Sequence, residues 1–383
     1  MRGTVILILA AALAGCGPRP QPSASNPVAD TLAAIAARFA TEERAPGLAV
    51  GVWRDGAVLY RAGFGSRGGG TGNPAVGPET LFHMASVTKP FVATAIMQLV
   101  ESGKVSLDST VRTYLPYFAM KDPRAAGITV RQVLTHTAGI GDVEDYRWQN
   151  PEYDDGALER YVRGLADSTL IAAPGERWAY SNIGFEILAD LISKVSGQSF
   201  EDYIQARILT PLGMRKSTLL MTDIDSTLMA YGHHRDSTGT SRPIGYYPYN
   251  RRHAASSTLH SNVDDMLRWA AANLGRGTLE QASILGAASY DELWTIQRDM
   301  TAEIAERARQ AGATSPYEKM GIGLSWFLPV RKGAQLVWHS GGDNGFRSDL
   351  VLVPDKRLAI VVMVNDDGID PSELRNALLD ALP

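Results

Sequence analysis

Apolar residues recur at helical spacing in "VADTLAAIAARFATEE", residues 28–43, and predict the first helix of the folded chain. The pattern then switches to alternation. "GLAVGVW" and "AVLYRAGFG" flank Arg54-Asp55-Gly56, and Asp-Gly between two apolar runs predicts a hairpin. A Gly-rich loop, "SRGGGTGNPAVG", leads to a mainly helical stretch with long loops that extends to about residue 320. Within it, "FEILADLISKVSG" reads as an amphipathic helix ending at a glycine, and "SNVDDMLRWAAANLG" as another, with Ser261 and Asp264 in capping-box positions. Strand-like runs return in "GLSWFLPV", "QLVWHSGG", "SDLVLVPD" and "RLAIVVMVND", joined by short turns, and "PSELRNALLDAL" predicts a closing helix.

Strands at both ends with helices between predict an α/β chain of the α+β type. One antiparallel sheet is built from both chain ends and flanked by helices, with a largely helical subdomain inserted at its side. The folded domain is expected over residues 30–383. Ahead of it, Arg2, the apolar run "VILILAAALA" and "LAGC" match a secretory signal peptide, the run being too short to span a bilayer, which takes roughly 20 residues. The ending resembles a bacterial lipobox over residues 1–16, so Cys16 is expected to be lipidated, with residues 17–29 as a Pro/Ser-rich tether. That implies an exported protein, lipid-anchored to a bacterial membrane and facing the periplasm or cell exterior. Cys16 is the only cysteine, which excludes disulfides, CxxC redox chemistry and thiolate zinc sites. A net charge of −4 without basic runs gives no reason to expect nucleic acid as a partner.

The candidate chemistry starts at "HMASVTKPFVA", residues 83–93. Residues i and i+3 share a helix face, so Ser86 and Lys89 point the same way, and Pro90 fits a helix start. A Ser-x-x-Lys match arises about once by chance in a chain of this length. Here it occurs once, followed by the single Tyr-x-Asn, Tyr180-Ser181-Asn182, and by His339-Ser340-Gly341 near the end of a predicted edge strand. Other motifs fail. Gly63-Phe64-Gly65-Ser66-Arg67-Gly68 matches GxGxxG with no helix after it, and neither G-x-S-x-G nor HExxH occurs, so no cofactor or metal is expected. His233 and His234 read as solvated loop residues. His136, in "LTHTAG", reads as a residue that holds a loop by hydrogen bonds.

Taken in this order, the motifs resemble the serine β-lactamase and penicillin-binding-protein superfamily, most closely the branch of class C β-lactamases, D-amino-acid peptidases and esterases. "VLTHTAGI", "PGERWAYSNIGFEIL" and "HSGGDNGF" match that branch too, and the likeness runs from about residue 30 to the C-terminus. It implies a serine hydrolase. A serine hydroxyl needs an adjacent base, which Lys89 becomes if burial or nearby positive charge lowers its pKa. Tyr180 completes the proton path, and Asn182 is expected to hydrogen-bond Lys89 and the substrate amide. One oxyanion donor is the Ser86 N–H at a helix start, and the resemblance implies Gly342 N–H as the second. The substrate, a small molecule or short peptide, then lies along Ser340, Gly341 and Gly342.

His339 departs from the β-lactamase pattern, where Lys is usual. With an ordinary pKa of about 6.5 it is mostly uncharged at neutral pH and anchors an anion weakly. The expected substrates are therefore D-amino-acid peptides, esters or related amides, with Arg347 an alternative source of the missing charge. A true β-lactamase, or a non-turnover penicillin-binding sensor, remains the alternative. "GIGDVEDYRW" occupies the place of a substrate-facing loop. Its Asp142, Glu144 and Asp145 read as solvated, or as favouring an amine-bearing substrate. "GYYPYNRR" reads equally as a cleft rim or as a lid packed on its own domain.

Overall fold

The computed structural model describes residues 26–68 and 72–382. The signal peptide, Cys16 and most of the expected tether lie outside the described residues. Helix α1, Pro27–Glu42, starts three residues before the expected domain boundary, because Asn26 caps it by accepting the Val28 and Ala29 N–H groups.

Five strands form the main sheet: β1 Gly47–Arg54, β2 Ala57–Gly65, β3 Val337–Asp343, β4 Phe346–Val353 and β5 Leu358–Val364. Their order is β3-β4-β5-β1-β2, and every neighbouring pair is antiparallel. Both chain ends thus meet in the middle of the sheet, as the alternation predicted. The β1–β2 hairpin turns at Asp55 and Gly56, both at positive φ, where Asp-Gly is favoured.

Both faces of the sheet are covered, which explains the unbroken apolar run of β5. Leu358, Ile360, Val362 and Val364 pack with Leu32 and Ala36 of α1 and with Leu374 and Leu378 of the closing helix, Pro371–Ala381. Ala359, Val361 and Met363 face the other core, which holds the helical middle of the chain. There the helix Val263–Leu274 crosses so close to β1 that a Cβ on Gly51 would lie 2.5 Å from Val263 Cγ1.

Two expectations are corrected. The helix Val263–Leu274 is capped by Asn262, whose side chain accepts the Asp265 N–H at 2.8 Å, one residue later than the Ser261–Asp264 box. Ser261 instead shares a hydrogen bond with Ser217. "GLSWFLPV" is not a sheet strand. Gly323 N–H bonds to the Trp326 carbonyl and closes a turn within the run, with Ser325 at φ +70°, while Trp326 and Leu328 are buried. Only Phe327 reaches the sheet, exchanging both backbone bonds with Trp338 of β3.

Candidate active site

Ser86 lies on a single 3-10 turn, Ala85–Thr88, that runs straight into helix α2, Lys89–Glu101. The turn is entered from a short strand, Phe82–His83, paired with His260–Ser261, and Ala85 takes a left-handed φ of +47°. A non-glycine residue there is a strained exception that packing on both sides must hold in place. The predicted spacing places Lys89 Nζ 2.8 Å from Ser86 Oγ. Lys89 is wholly buried, and Nζ also donates to the Ser256 carbonyl at 2.9 Å. Burial pushes its pKa down to about 7, a fall opposed by the carboxylates of Glu186, Asp343 and Asp142.

Tyr180 comes from the opposite wall. Lys89 Nζ lies 5.0 Å from the centre of its ring. The ring stacks on His136 at 4.2 Å, and His136 clasps the segment from both sides. Its carbonyl accepts the Ala179 N–H at 2.8 Å and its Nδ1 accepts the Ser181 N–H at 3.1 Å. His136 thus holds a loop by hydrogen bonds, as its sequence context indicated. Burial raises the Tyr180 pKa, and the Ser86 hydroxyl beside it works in the opposite direction, so the phenol is neutral at rest.

Asn182 opens the next helix, Asn182–Ser196, but it makes no hydrogen bond to Lys89. The Asp142 carboxylate accepts its backbone N–H at 2.8 Å and its side-chain NH2 at 3.0 Å. A carboxylate only accepts, so the amide presents its NH2 to Asp142, and Oδ1 is left buried without a partner. Lys89 Nζ has two acceptors, Ser86 Oγ and the Ser256 carbonyl. Asp142, itself exposed, therefore holds this wall by its hydrogen bonds, and Glu144 and Asp145 are exposed on the loop beyond it.

The third wall is the free edge of β3. In an antiparallel strand, alternate residues turn their N–H and C=O away from the neighbour. Trp338 spends that outward pair on Phe327, so the outward N–H groups of Ser340 and Gly342 follow along the same edge. Gly341 lies between them and faces the nucleophile. A Cβ there would fall 2.2 Å from the Met84 carbonyl oxygen and 3.1 Å from Ser86 N, which only glycine avoids. His339 lies beneath this edge, 1% exposed, with Nδ1 2.7 Å from the Ser340 carbonyl. Burial and nearby Lys89 lower its pKa to about 3, so it is neutral.

A cleft of about 780 Å³ opens beside Gly342, walled by the 144–150 loop, Tyr246, Asp343 and Arg347. Arg347 Nη1 donates to the Asp343 and Phe346 carbonyls at 3.2 and 3.1 Å. In the aromatic segment, Tyr246 lines this rim, whereas Tyr249 is 3% exposed and Arg251 is buried against Glu201. The segment is thus part rim and part packing. His233 is not solvated: it is buried, with Nδ1 3.0 Å from the Asn365 carbonyl, and only His234 is exposed.

Two groups near Lys89 had escaped the sequence reading. Ser256 contributes a backbone carbonyl, which no side-chain motif announces. Glu186 is wholly buried and accepts the Ala255 and Ser256 N–H groups at 3.0 and 3.2 Å, and burial raises its pKa to about 8. Its signal was an acid inside the apolar "FEILADL" run, since unpaired acids are rarely fully buried.

Known proteins resemble the chain over nearly all of its described length. A family model described as Beta-lactamase matches residues 32–382. Penicillin-binding protein 4 of Amycolatopsis lactamdurans is 29% identical over 328 residues, 85% of this chain and 82% of that protein. Among solved structures, the octameric penicillin-binding protein homologue from Pyrococcus abyssi superposes with a TM-score of 0.78 at 28% identity, covering 91% of this chain and 77% of that one. The D-stereospecific amidohydrolase from Streptomyces sp. gives a TM-score of 0.70 at 25% identity, covering 92% and 98%. With a family match over nearly the whole described chain and the serine, lysine and tyrosine gathered at the edge of the sheet, the chain belongs to the beta-lactamase family and is a serine hydrolase.

Proposed function

We propose that the protein hydrolyses small uncharged esters or D-amino-acid amides and peptides through an acyl-enzyme on Ser86, and β-lactams poorly. The observation that carries the mechanism is Lys89 Nζ at 2.8 Å from Ser86 Oγ, in a site dry enough to bring its pKa to about 7. Neutral Lys89 takes the Ser86 proton as Oγ bonds to the substrate carbonyl carbon. The carbonyl electron pair moves to oxygen, where the Ser86 and Gly342 N–H groups receive it. On collapse the C–O or C–N bond breaks. The leaving group takes a proton from the neutral Tyr180 hydroxyl, which the Lys89 ammonium replaces. Water then repeats the sequence and frees the acid.

The substrate preference rests on His339. Where β-lactamases of this branch present a fixed positive charge, this chain has a buried, neutral imidazole. A second reading, efficient β-lactam hydrolysis, draws on Arg347, whose guanidinium stands beside Gly342 at the cleft. Ser86→Ala is expected to abolish labelling by a fluorophosphonate or a penicillin probe with the circular dichroism unchanged. Undiminished labelling would end the acyl-enzyme reading.

We also propose lipid attachment at Cys16, on the strength of "LAGC" after a short apolar run. Cys16→Ser should move the protein from the membrane to the soluble fraction or leave it unprocessed. A processed wild type that is already soluble would contradict this.

A further inference from the structure

We propose that His83 and Asp343 act together as a positioning pair that sets the spacing of the two oxyanion donors, Ser86 N–H and Gly342 N–H. This rests on the acyl-enzyme reading above. The two donors come from segments more than 250 residues apart in sequence, and nothing covalent fixes their distance. His83 lies three residues before Ser86, and Asp343 directly follows Gly342. Their side chains meet at 2.7 Å, His83 Nε2 to Asp343 Oδ2, with the His83 side chain wholly buried and that of Asp343 7% exposed. The carboxylate can only accept, so Nε2 carries the proton.

The seam between the two segments has a second tie. Ser348 Oγ donates to the Met84 carbonyl at 2.7 Å, from the strand next to β3. Close approach of Gly341 to Met84 and Ser86 N lies between the two ties. The β3–β4 ladder already holds the strand, and the two side-chain ties fasten it to the Ser86 segment. The His83–Asp343 bond is the one nearer Gly342. Its surroundings hold it in line: the His83 ring is flanked by His260, Phe346 and Tyr247 at 5.5, 5.7 and 6.1 Å between centres. Asp343 thus serves the nucleophile segment, although its position in a two-residue hairpin would suit it to capping its own turn.

A displaced donor weakens transition-state binding and leaves ground-state binding intact. The probe is phenylboronic acid, which forms a tetrahedral adduct on an active-site serine and places a boronate oxygen in the oxyanion position. His83→Phe keeps an aromatic ring in the slot and removes the donor. We expect its boronate Ki to rise and its kcat to fall in parallel, roughly ten- to hundredfold, with KM nearly unchanged. His83→Gln restores a donor at a similar reach and should recover most of both. Measured well above pH 7, where Lys89 is neutral with or without the Asp343 carboxylate, Asp343→Ala should match His83→Phe, and the double variant should be little worse than either single one. All rates are referred to the fraction of protein that a fluorophosphonate labels, so a loss of folded material does not count. A lowered melting temperature with kcat and boronate Ki unchanged in the labelled fraction would make the pair purely structural and overturn the proposal. A wild type neither labelled nor inhibited would instead remove the acyl-enzyme reading, and the proposal with it.

Discussion

The buried floor behind Ser86 and the loop rim of the neighbouring cleft carry similar side chains under opposite conditions. On the floor, Lys89 is wholly buried and its pKa falls to about 7, while Glu186 is wholly buried and its pKa rises to about 8. Along the rim, Glu144, Asp145 and Arg147 belong to an exposed loop. Water stabilises the charges of the rim, and its exclusion from the floor disfavours both ammonium and carboxylate. Residue type alone therefore does not identify the reactive lysine. Removal from water does.

The largest expected effect comes from breaking the floor. Lys89→Met removes the base, and turnover should fall by roughly 10³-fold or more. Tyr180→Phe should also lose most turnover, and the double variant should add little, because the groups act as a unit. The intact site must hold Lys89 neutral to work. Since its folded-state pKa is about 7, kcat/KM should fall about tenfold per pH unit below that value. Stability follows the same direction, because the cost of burying Lys89 shrinks as pH rises from about 7 toward 10.5. A lysine whose pKa is lowered from 10.5 to about 7 releases its proton on folding at pH values between the two, and at neutral pH its burial as a cation costs stability. Lys89→Met should therefore raise the unfolding free energy, by an amount on the order of a few kcal/mol, since Glu186, with a pKa of about 8, is mostly protonated at pH 7 and is not left as an unpaired charge. Thermal denaturation at pH 7 checks it. A less stable variant would mean that the Lys89 hydrogen bonds outweigh its desolvation.

The same contrast explains how much could be read before the structure. The Ser86–Lys89 spacing, the hairpin at Asp55-Gly56 and the both-ends sheet follow from local periodicity, which sequence displays directly. His136 was readable because a histidine in a Thr-rich turn has ready backbone partners. The Ser256 carbonyl was not, since every residue carries the same backbone group and only the fold decides which one reaches Lys89. The Asn182–Asp142 bond was not legible either, since Asp142 lies 40 residues upstream and meets Asn182 only once the two loops close. "GLSWFLPV" failed for a related reason. A short apolar run fits a strand or a buried loop equally well, and here the Gly323–Trp326 turn chose the loop.

A moderate effect is expected where floor and rim meet, at His339. Its buried ring is neutral, so a carboxylate-bearing β-lactam meets no fixed charge from this position. Wild-type kcat/KM for penicillins and cephalosporins should lie below that for the best small ester or D-amino-acid amide. His339→Lys should narrow the gap by raising the β-lactam values. Steady-state kinetics across these substrates decide the matter. A cephalosporin turned over as well as the best ester, and no better after the substitution, would transfer the anion-binding role to Arg347.

The smallest effect should come from the rim acids. Glu144 and Asp145 stand in water beside the cleft, and Asp145 is occupied locally by the Arg147 N–H at 2.8 Å. Exposed charges act through a high dielectric and are screened within about 8 Å at physiological salt. Their influence on the reacting atoms is therefore small, but they still bias which ligands approach. Glu144→Gln with Asp145→Asn should leave kcat for a neutral ester unchanged. KM for a substrate with a free amine should rise by about two- to threefold at low ionic strength and converge with wild type as salt is added. Persistence of the KM difference at high salt would mean that an acid touches the amine directly. That result would make the loop a specificity element in contact with substrate, and the separation of a reactive floor from a solvated rim would no longer hold there.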